Sequence, residues 1–165
     1  MRMYCVIALL FLSCQLSPQQ GVVSTNSTTS ACGGFTSLAK RAAMPYSQDS
    51  SNYCTAEKII WTYSPGQKQL DILHVRIGAN CASKLEMTVE ENAGTYTILQ
   101  KDNKDPRIMA DCDCVFDTYC ELQNVQNGPV VFVYQGQSYN VDLANLTGSI
   151  VIDTTHLYQC DMRFN

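Results

Sequence analysis

Three cysteines crowd the stretch "ADCDCVFDTYC" at residues 110–120, and only Asp113 separates Cys112 from Cys114. Thiols in such a cluster can hold a metal, exchange disulfides or staple a fold. Structural zinc sites favour cysteines two to four residues apart, so that two thiolates reach one ion. The Cys-x-Cys spacing is tighter than that. His156 and Cys160 could complete a ligand set, but an oxidising compartment turns such thiols into disulfides. Redox cysteines favour the Cys-x-x-Cys spacing at a helix start, where the thiolate is stabilised. Asp113 would do the reverse, repelling a thiolate beside it. The staple is the reading these residues favour. On a strand, Cys112 and Cys114 point to one face and can each reach a different partner, for example Cys81 and Cys160. Cys120 is then left for the remaining bond or as an odd thiol.

Other chemistry finds little support. No Gly-x-Ser-x-Gly elbow and no phosphate-cradling glycine loop occurs. The two histidines, His74 and His156, limit any Ser–His or Cys–His scheme. His74 falls in a strand pattern and reads as a packed residue, while His156 reads as part of an exposed loop. Glu90 and Glu91 are adjacent, so along a strand they would face opposite sides and could not act on one bond. No enzyme activity and no cofactor are expected.

The compartment follows from the two ends of the chain and its cysteines. "MRMYCVIALLFLSCQLSPQQ" joins a short positive start to an apolar run from Tyr4 to Leu12, the make-up of a signal peptide over residues 1–20. The run is too short to cross a bilayer, and no other segment approaches the ~18 to 20 apolar residues of a span. A released, secreted, extracellular protein is expected, of about 140 residues, which suits one domain. Without Arg2 its ten Lys and Arg face fifteen Asp and Glu, a mild acidic excess of −5. No basic stripe appears, so nucleic acid is not an expected partner.

Beyond the leader, which takes Cys5 and leaves Cys14 near its end, seven cysteines remain: Cys32, Cys54, Cys81, Cys112, Cys114, Cys120 and Cys160. Most should be paired. Seven is odd, so one thiol is free, pairs with Cys14 or links the chain into a disulfide-bonded dimer. Two glycosylation sequons, at Asn26 in "NST" and Asn145 in "NLT", suit the same route.

The elements that must position these residues are short strands. Residues 21–31 read as a Ser/Thr-rich lead-in without a core pattern, with a single domain over 32–165. "TSLAKRAA" (36–43) could make a helical turn or two, and "MPYSQDSSNY" (44–53) is loop. "KIIWTY" (58–63) is β-branched and aromatic, and "SPGQ" (64–67) is a turn in which Gly66 can take a positive φ. "QLDILHVRI" (69–77) alternates imperfectly, as a strand covered on both faces does. "KLEMTVE" (84–90) turns Leu85, Met87 and Val89 inward, and "TYTIL" (95–99) follows an Asn-Ala-Gly turn. After the charged loop "QKDNKDPR" (100–107) and the cysteine cluster, "PVVFVYQGQSYNVDL" (129–143) reads as a hairpin turning at Gln135-Gly136. "GSIVID" (148–153) is a last strand. Many short strands with turns between them make an all-β, disulfide-stabilised antiparallel sandwich or barrel.

Within that frame, residues 32–90 resemble a CUB domain, an extracellular two-sheet sandwich. The likeness rests on the order "CGG" at Cys32, a Ser/Pro/Tyr-rich loop, Cys54, a strand with Trp61, the "SPG" turn, and "LDILHVRIGANC" leading through Cys81 into "KLEMTV". The resemblance implies a Cys32–Cys54 bond and a bond from Cys81 into the 112–120 cluster. Trp61 lies farther past Cys54 than the family places its aromatic. Many CUB domains ligate calcium with an aspartate three residues after the third cysteine. That position is Lys84 here, whose ammonium would repel a divalent ion, so no such metal site is expected. Glu86, Glu90 and Glu91 read as a solvated face.

The function implied is an extracellular recognition module binding a protein or glycan, of the kind found among venom, seminal and defence proteins. Tyr134 and Tyr139 on the hairpin are candidate anchors. A disulfide-linked matrix subunit and a secreted enzyme are the competing readings.

Overall fold

A computed structural model describes residues 22–34 and 56–154. The leader at 1–20, the segments 36–43 and 44–53, Cys5, Cys14, Cys54, His156 and Cys160 lie outside the described residues.

The described chain is built from strands in two sheets, as the alternating apolar pattern requires. The strands are β1 (Val23–Thr29), β2 (Glu57–Ser64), β3 (Gln69–Asn80), β4 (Leu85–Asn92), β5 (Thr95–Asp102), β6 (Asp113–Gln123), β7 (Pro129–Tyr134), β8 (Gln137–Asp142) and β9 (Thr147–Asp153). One sheet has the order β1-β6-β3-β2-β9 and the other β4-β5-β7-β8. Neighbours are antiparallel except β5 and β7, which pair in parallel from Thr95↔Val131 to Ile98↔Tyr134. The disulfide-stabilised, all-β sandwich expected from the sequence is therefore the fold.

The core lies between the sheets and takes every second residue of the strands that face it. Ile59, Trp61, Tyr63, Leu70, Ile72, Cys120 and Leu122 come from the first sheet, and Met87, Tyr96, Ile98, Phe132 and Tyr134 from the second. Phe132 sits at the centre of an aromatic group, edge-on to Trp61 at 5.9 Å and to Tyr96 at 6.1 Å. Gly148 pairs with Trp61 across β9 and β2, and a Cβ there would overlap the indole. Strand β3 is buried on both faces: Leu70 and Ile72 face the other sheet, while Leu73 and Val75 form a second cluster with Ile60 and Tyr119 on the outer side. That double burial explains its imperfect alternation. A bulge between His74 and Ile77 interrupts its ladder with β6, where Arg76 holds a φ of 64°.

Three sequence expectations are corrected. Val23–Thr29 is a strand, so the folded unit extends N-terminally of Cys32. Its hydrogen bonds stand in for the missing apolar pattern. It pairs with β6, and the Ser27 and Thr29 hydroxyls donate to the Met87 and Leu85 carbonyls at 3.0 and 2.5 Å. β1 thus caps carbonyls of β4, an edge strand of the other sheet. In the turn after β2, the positive φ belongs to Lys68 (51°) and not to Gly66. Tyr134, offered as a surface anchor, is 4% exposed in the core, and Tyr139 is half-buried against it.

The tight turns match the sequence closely. Ala93-Gly94 and Gln135-Gly136 each join paired strands through two residues of positive φ, the turn whose twist suits a hairpin.

Candidate binding loop

The cysteine cluster and the charged loop before it meet at one end of the sandwich. Strand β5 ends there at Asp102 and β6 begins there at Asp113, so residues 103–112 must cross from one sheet to the other. Two disulfides pin the landing point: Cys81 to Cys112 and Cys32 to Cys114. Cys112 and Cys114 do take different partners, and Cys81 does bond into the cluster. The Cys32–Cys54 bond implied by the resemblance is replaced by Cys32–Cys114. β1 runs beside β6, and this pairing delivers Cys32 to the start of β6. The two bridges touch, with the Cys81 and Cys114 sulfurs 3.2 Å apart. Among the described residues, Cys32, Cys81 and Cys114 form the one convergent group of three or more metal-ligating side chains. Their sulfurs are used in the disulfides.

Cys120, which the sequence left for the remaining bond or as an odd thiol, is a free thiol and not a bridging one, fully buried in the inter-sheet core. Its Sγ lies 3.1 Å from the Ser24 hydroxyl. Burial pushes the thiol pKa up, the Ser24 hydrogen bond offsets part of this, and the charges of Glu121 and Asp71 add to the rise. Such a thiol is an inert packing group. It cannot reach another chain without opening the sandwich.

The crossing loop is held stiffly at both feet. Asn80 acts as a clamp: its Nδ2 donates to the Ala110 and Cys112 carbonyls at 2.7 and 3.0 Å. Its Oδ1 accepts from the Ala82 and Ala110 amides at 3.1 and 3.0 Å. At the other foot the Asp102 carboxylate accepts from Ser83 Oγ at 2.8 Å and from the Lys84 and Lys104 amides at 2.9 and 3.1 Å. Burial pushes this carboxyl up, but those donors and the Lys104 ammonium outweigh it and hold its pKa below the ordinary value. Lys84 therefore contributes its amide to the loop base. Glu86 takes part as well, accepting from Asn103 Nδ2 at 2.6 Å.

The apex is an Asp-Pro-Arg-Ile turn. Ile108 N–H bonds the Asp105 carbonyl at 2.9 Å, and the Asp105 carboxylate accepts from the Arg107 amide at 3.0 Å and from its guanidinium at 2.9 and 2.6 Å. The guanidinium holds the Asp105 carboxyl below its ordinary range. This turn aims its apolar residues at solvent: Ile108 is 57% exposed and Met109 73% exposed. Met and Arg are enriched where proteins meet. Sequence reading reached the charged loop but not this pair. An Ile-Met doublet between the charged loop and the cysteine cluster was the available signal.

The remaining candidates sit elsewhere. His74 is fully buried, its Nε2 2.7 Å from Glu57 Oε1 and its ring edge-on to Tyr134 at 4.8 Å. It is a packed core residue, as its strand pattern implied. Asn26 and Asn145 are both exposed, the first on β1 and the second in the 3-10 turn Leu143–Asn145. No helix among the described residues is long and apolar enough to cross a membrane. No family model, curated protein or solved structure matches the chain.

Proposed function

We propose that this chain is a secreted, non-catalytic recognition module, CUB-like in type, that docks an extracellular protein through residues 103–112. The observation that carries the reading is the exposed Ile108–Met109 pair on a loop pinned by Asn80, Asp102 and the Cys81–Cys112 bridge. Solvent-facing apolar side chains cost free energy in the unbound protein and repay it when a partner covers them. A stiff loop loses little entropy on binding, so more of that gain appears as affinity. Arg107 beside them, 87% exposed in its side chain and paired with Asp105, adds an ion pair whose polarity a partner must match.

Secretion is supported by the signal-like start, the two disulfides and the accessible sequons at Asn26 and Asn145. The test begins with expression of the full chain in a secreting eukaryotic host. The medium should hold an N-terminally processed, glycosylated protein carrying the Cys32–Cys114 and Cys81–Cys112 bonds. That protein and an Ile108→Asp/Met109→Asp variant are then screened against a display library of extracellular proteins. Partners of the parent should bind the variant at least tenfold more weakly while its disulfide map is unchanged. Retention in the cell, or partners indifferent to both substitutions, would reject the reading.

A further inference from the structure

The end of the sandwich opposite the disulfides carries a second recessed surface. There the β4–β5 turn, the β6–β7 loop and the end of β8 come together. A cleft of about 470 Å³ is lined by Glu91, Asn124, Gln126 and Asn127, with Tyr96 and Val130 also in its wall. A shallower recess of about 380 Å³ adjoins it across Ala93, Gly94, Pro129 and Val130, and adds Asn140 and Asp142. The volumes suit a small ligand.

The lining chemistry is selective. Four carboxamides stand in the two recesses with two carboxylates, and no lysine or arginine among the described residues lines either. A carboxamide donates and accepts at once, and a carboxylate only accepts. A sugar hydroxyl, itself donor and acceptor, satisfies both kinds of group. An anion would meet two like charges with no cation to offset them. A cation would use the carboxylates and the carboxamide oxygens but none of the carboxamide N–H donors. Val130 and Tyr96, 8% and 3% exposed, close the floor of the cleft from the core side.

The walls are also preorganised. Glu91 Oε1 accepts from the Gly94 amide at 2.9 Å, and Asp142 Oδ1 accepts from the Ala144 amide at 3.0 Å. One oxygen of each carboxylate is thereby fixed, and the other can face a ligand. Backbone bonds lock the surrounding turns: Val131 N to Gly94 O at 3.0 Å, Leu143 N to Gly128 O at 3.0 Å and Val125 N to Lys68 O at 2.9 Å. The backbone beneath the groove therefore needs no ordering when a ligand enters, and the cost falls on the exposed side chains alone.

We infer that this groove binds a neutral glycan, one bearing neither carboxylate nor sulfate, through Glu91, Asn127 and their carboxamide neighbours. The site is independent of the loop at the other end, so either can fail while the other stands.

The test is an amide-resolved NMR titration of the full secreted protein. The probes are neutral oligosaccharides of glucose, galactose, mannose and N-acetylglucosamine, their sialylated and sulfated counterparts, and spermidine as a cationic control. At least one neutral member should shift the Gly94, Asn127 and Asn140 amides saturably. Its charged counterpart should bind at least tenfold more weakly. Asn127→Ala, at an exposed loop position, and Glu91→Gln, which keeps the side-chain shape, should each weaken binding fivefold or more. Ile108→Asp/Met109→Asp should leave it unchanged. Indifference to every neutral probe, preference for the anions or spermidine, or binding that ignores both groove substitutions would overturn the inference.

Discussion

The indole of Trp61 fills the space that Gly148 leaves by having no side chain. Gly148→Ala forces the ring or strand β9 to move, an overpacking cost of about 1 to 3 kcal/mol. Trp61 is the sole tryptophan, so its fluorescence reports the displacement directly. The expected outcome is a shifted emission maximum together with a lower urea midpoint. Asn80 poses the opposite case, a polar side chain whose four contacts hold a loop. Asn80→Ala deletes them and should cost about 2 to 6 kcal/mol, at about 0.5 to 1.5 kcal/mol per net hydrogen bond. Hydrogen exchange should quicken at the Ala82 and Ala110 amides, which lose their acceptor. Asn80→Asp keeps the acceptor atom and should restore part of the protection.

Among the elements, the turns separate what a glycine does by position. Gly136 has a φ of 77° and Gly66 does not lie in the left-handed range, yet a Cβ at either meets nothing within 4 Å. Only backbone strain therefore distinguishes them. Gly136→Ala should destabilise by about 1 to 2 kcal/mol. Gly66→Ala should stabilise by about 0.4 to 1 kcal/mol, by restricting the unfolded chain. Paired thermal melts of the two variants check both signs. The same contrast marks what the sequence made legible. Strands β2, β3 and β7 and the hairpin at Gln135-Gly136 were readable because apolar period and turn chemistry are local properties. Strand β1 was not, because its pairing to β6 and its hydroxyl bonds to β4 are made with residues far along the chain. The Cys32–Cys114 bond escaped for that reason too, since β1 is what carries Cys32 to β6. The Ile108–Met109 pair was present in the sequence, but only the geometry reveals that it points outward and not into the core.

At the scale of the whole molecule, buried phenols set an alkaline limit. Burial, reinforced by the charge of Glu91 and by Tyr63, pushes Tyr96 from 10.0 up to about 12. Burial raises Tyr63 and Tyr134 as well. A raised pKa means that the folded state keeps its proton while the unfolded state has begun to lose one. The stabilisation is complete below pH 10 and disappears as pH climbs through about 12. Phenolate absorbance at 295 nm should therefore rise cooperatively with unfolding in that window, and not as independent titrations. Asp102 acts with the opposite sign: its lowered pKa stabilises the fold above its ordinary value of 3.8, and this is lost as pH falls below it. Acid should loosen the 103–112 loop, seen as faster exchange at the Lys84 and Lys104 amides.

The place of β6 in the first sheet governs when the molecule can assemble. β6 lies between β1 and β3, and both disulfides end at its start. β1, made first, has no sheet partner until the chain has grown past residue 113, at about 5 to 20 residues per second. The parallel pairing of β5 with β7 waits longer still, because β6 must first be laid in the opposite sheet. Sequence-distant pairing of this kind slows folding. Cys32 and Cys81 therefore emerge from synthesis well before their partners and stay open to mispairing with each other, so the yield of native protein should depend on how fast a disulfide isomerase can undo that early bond.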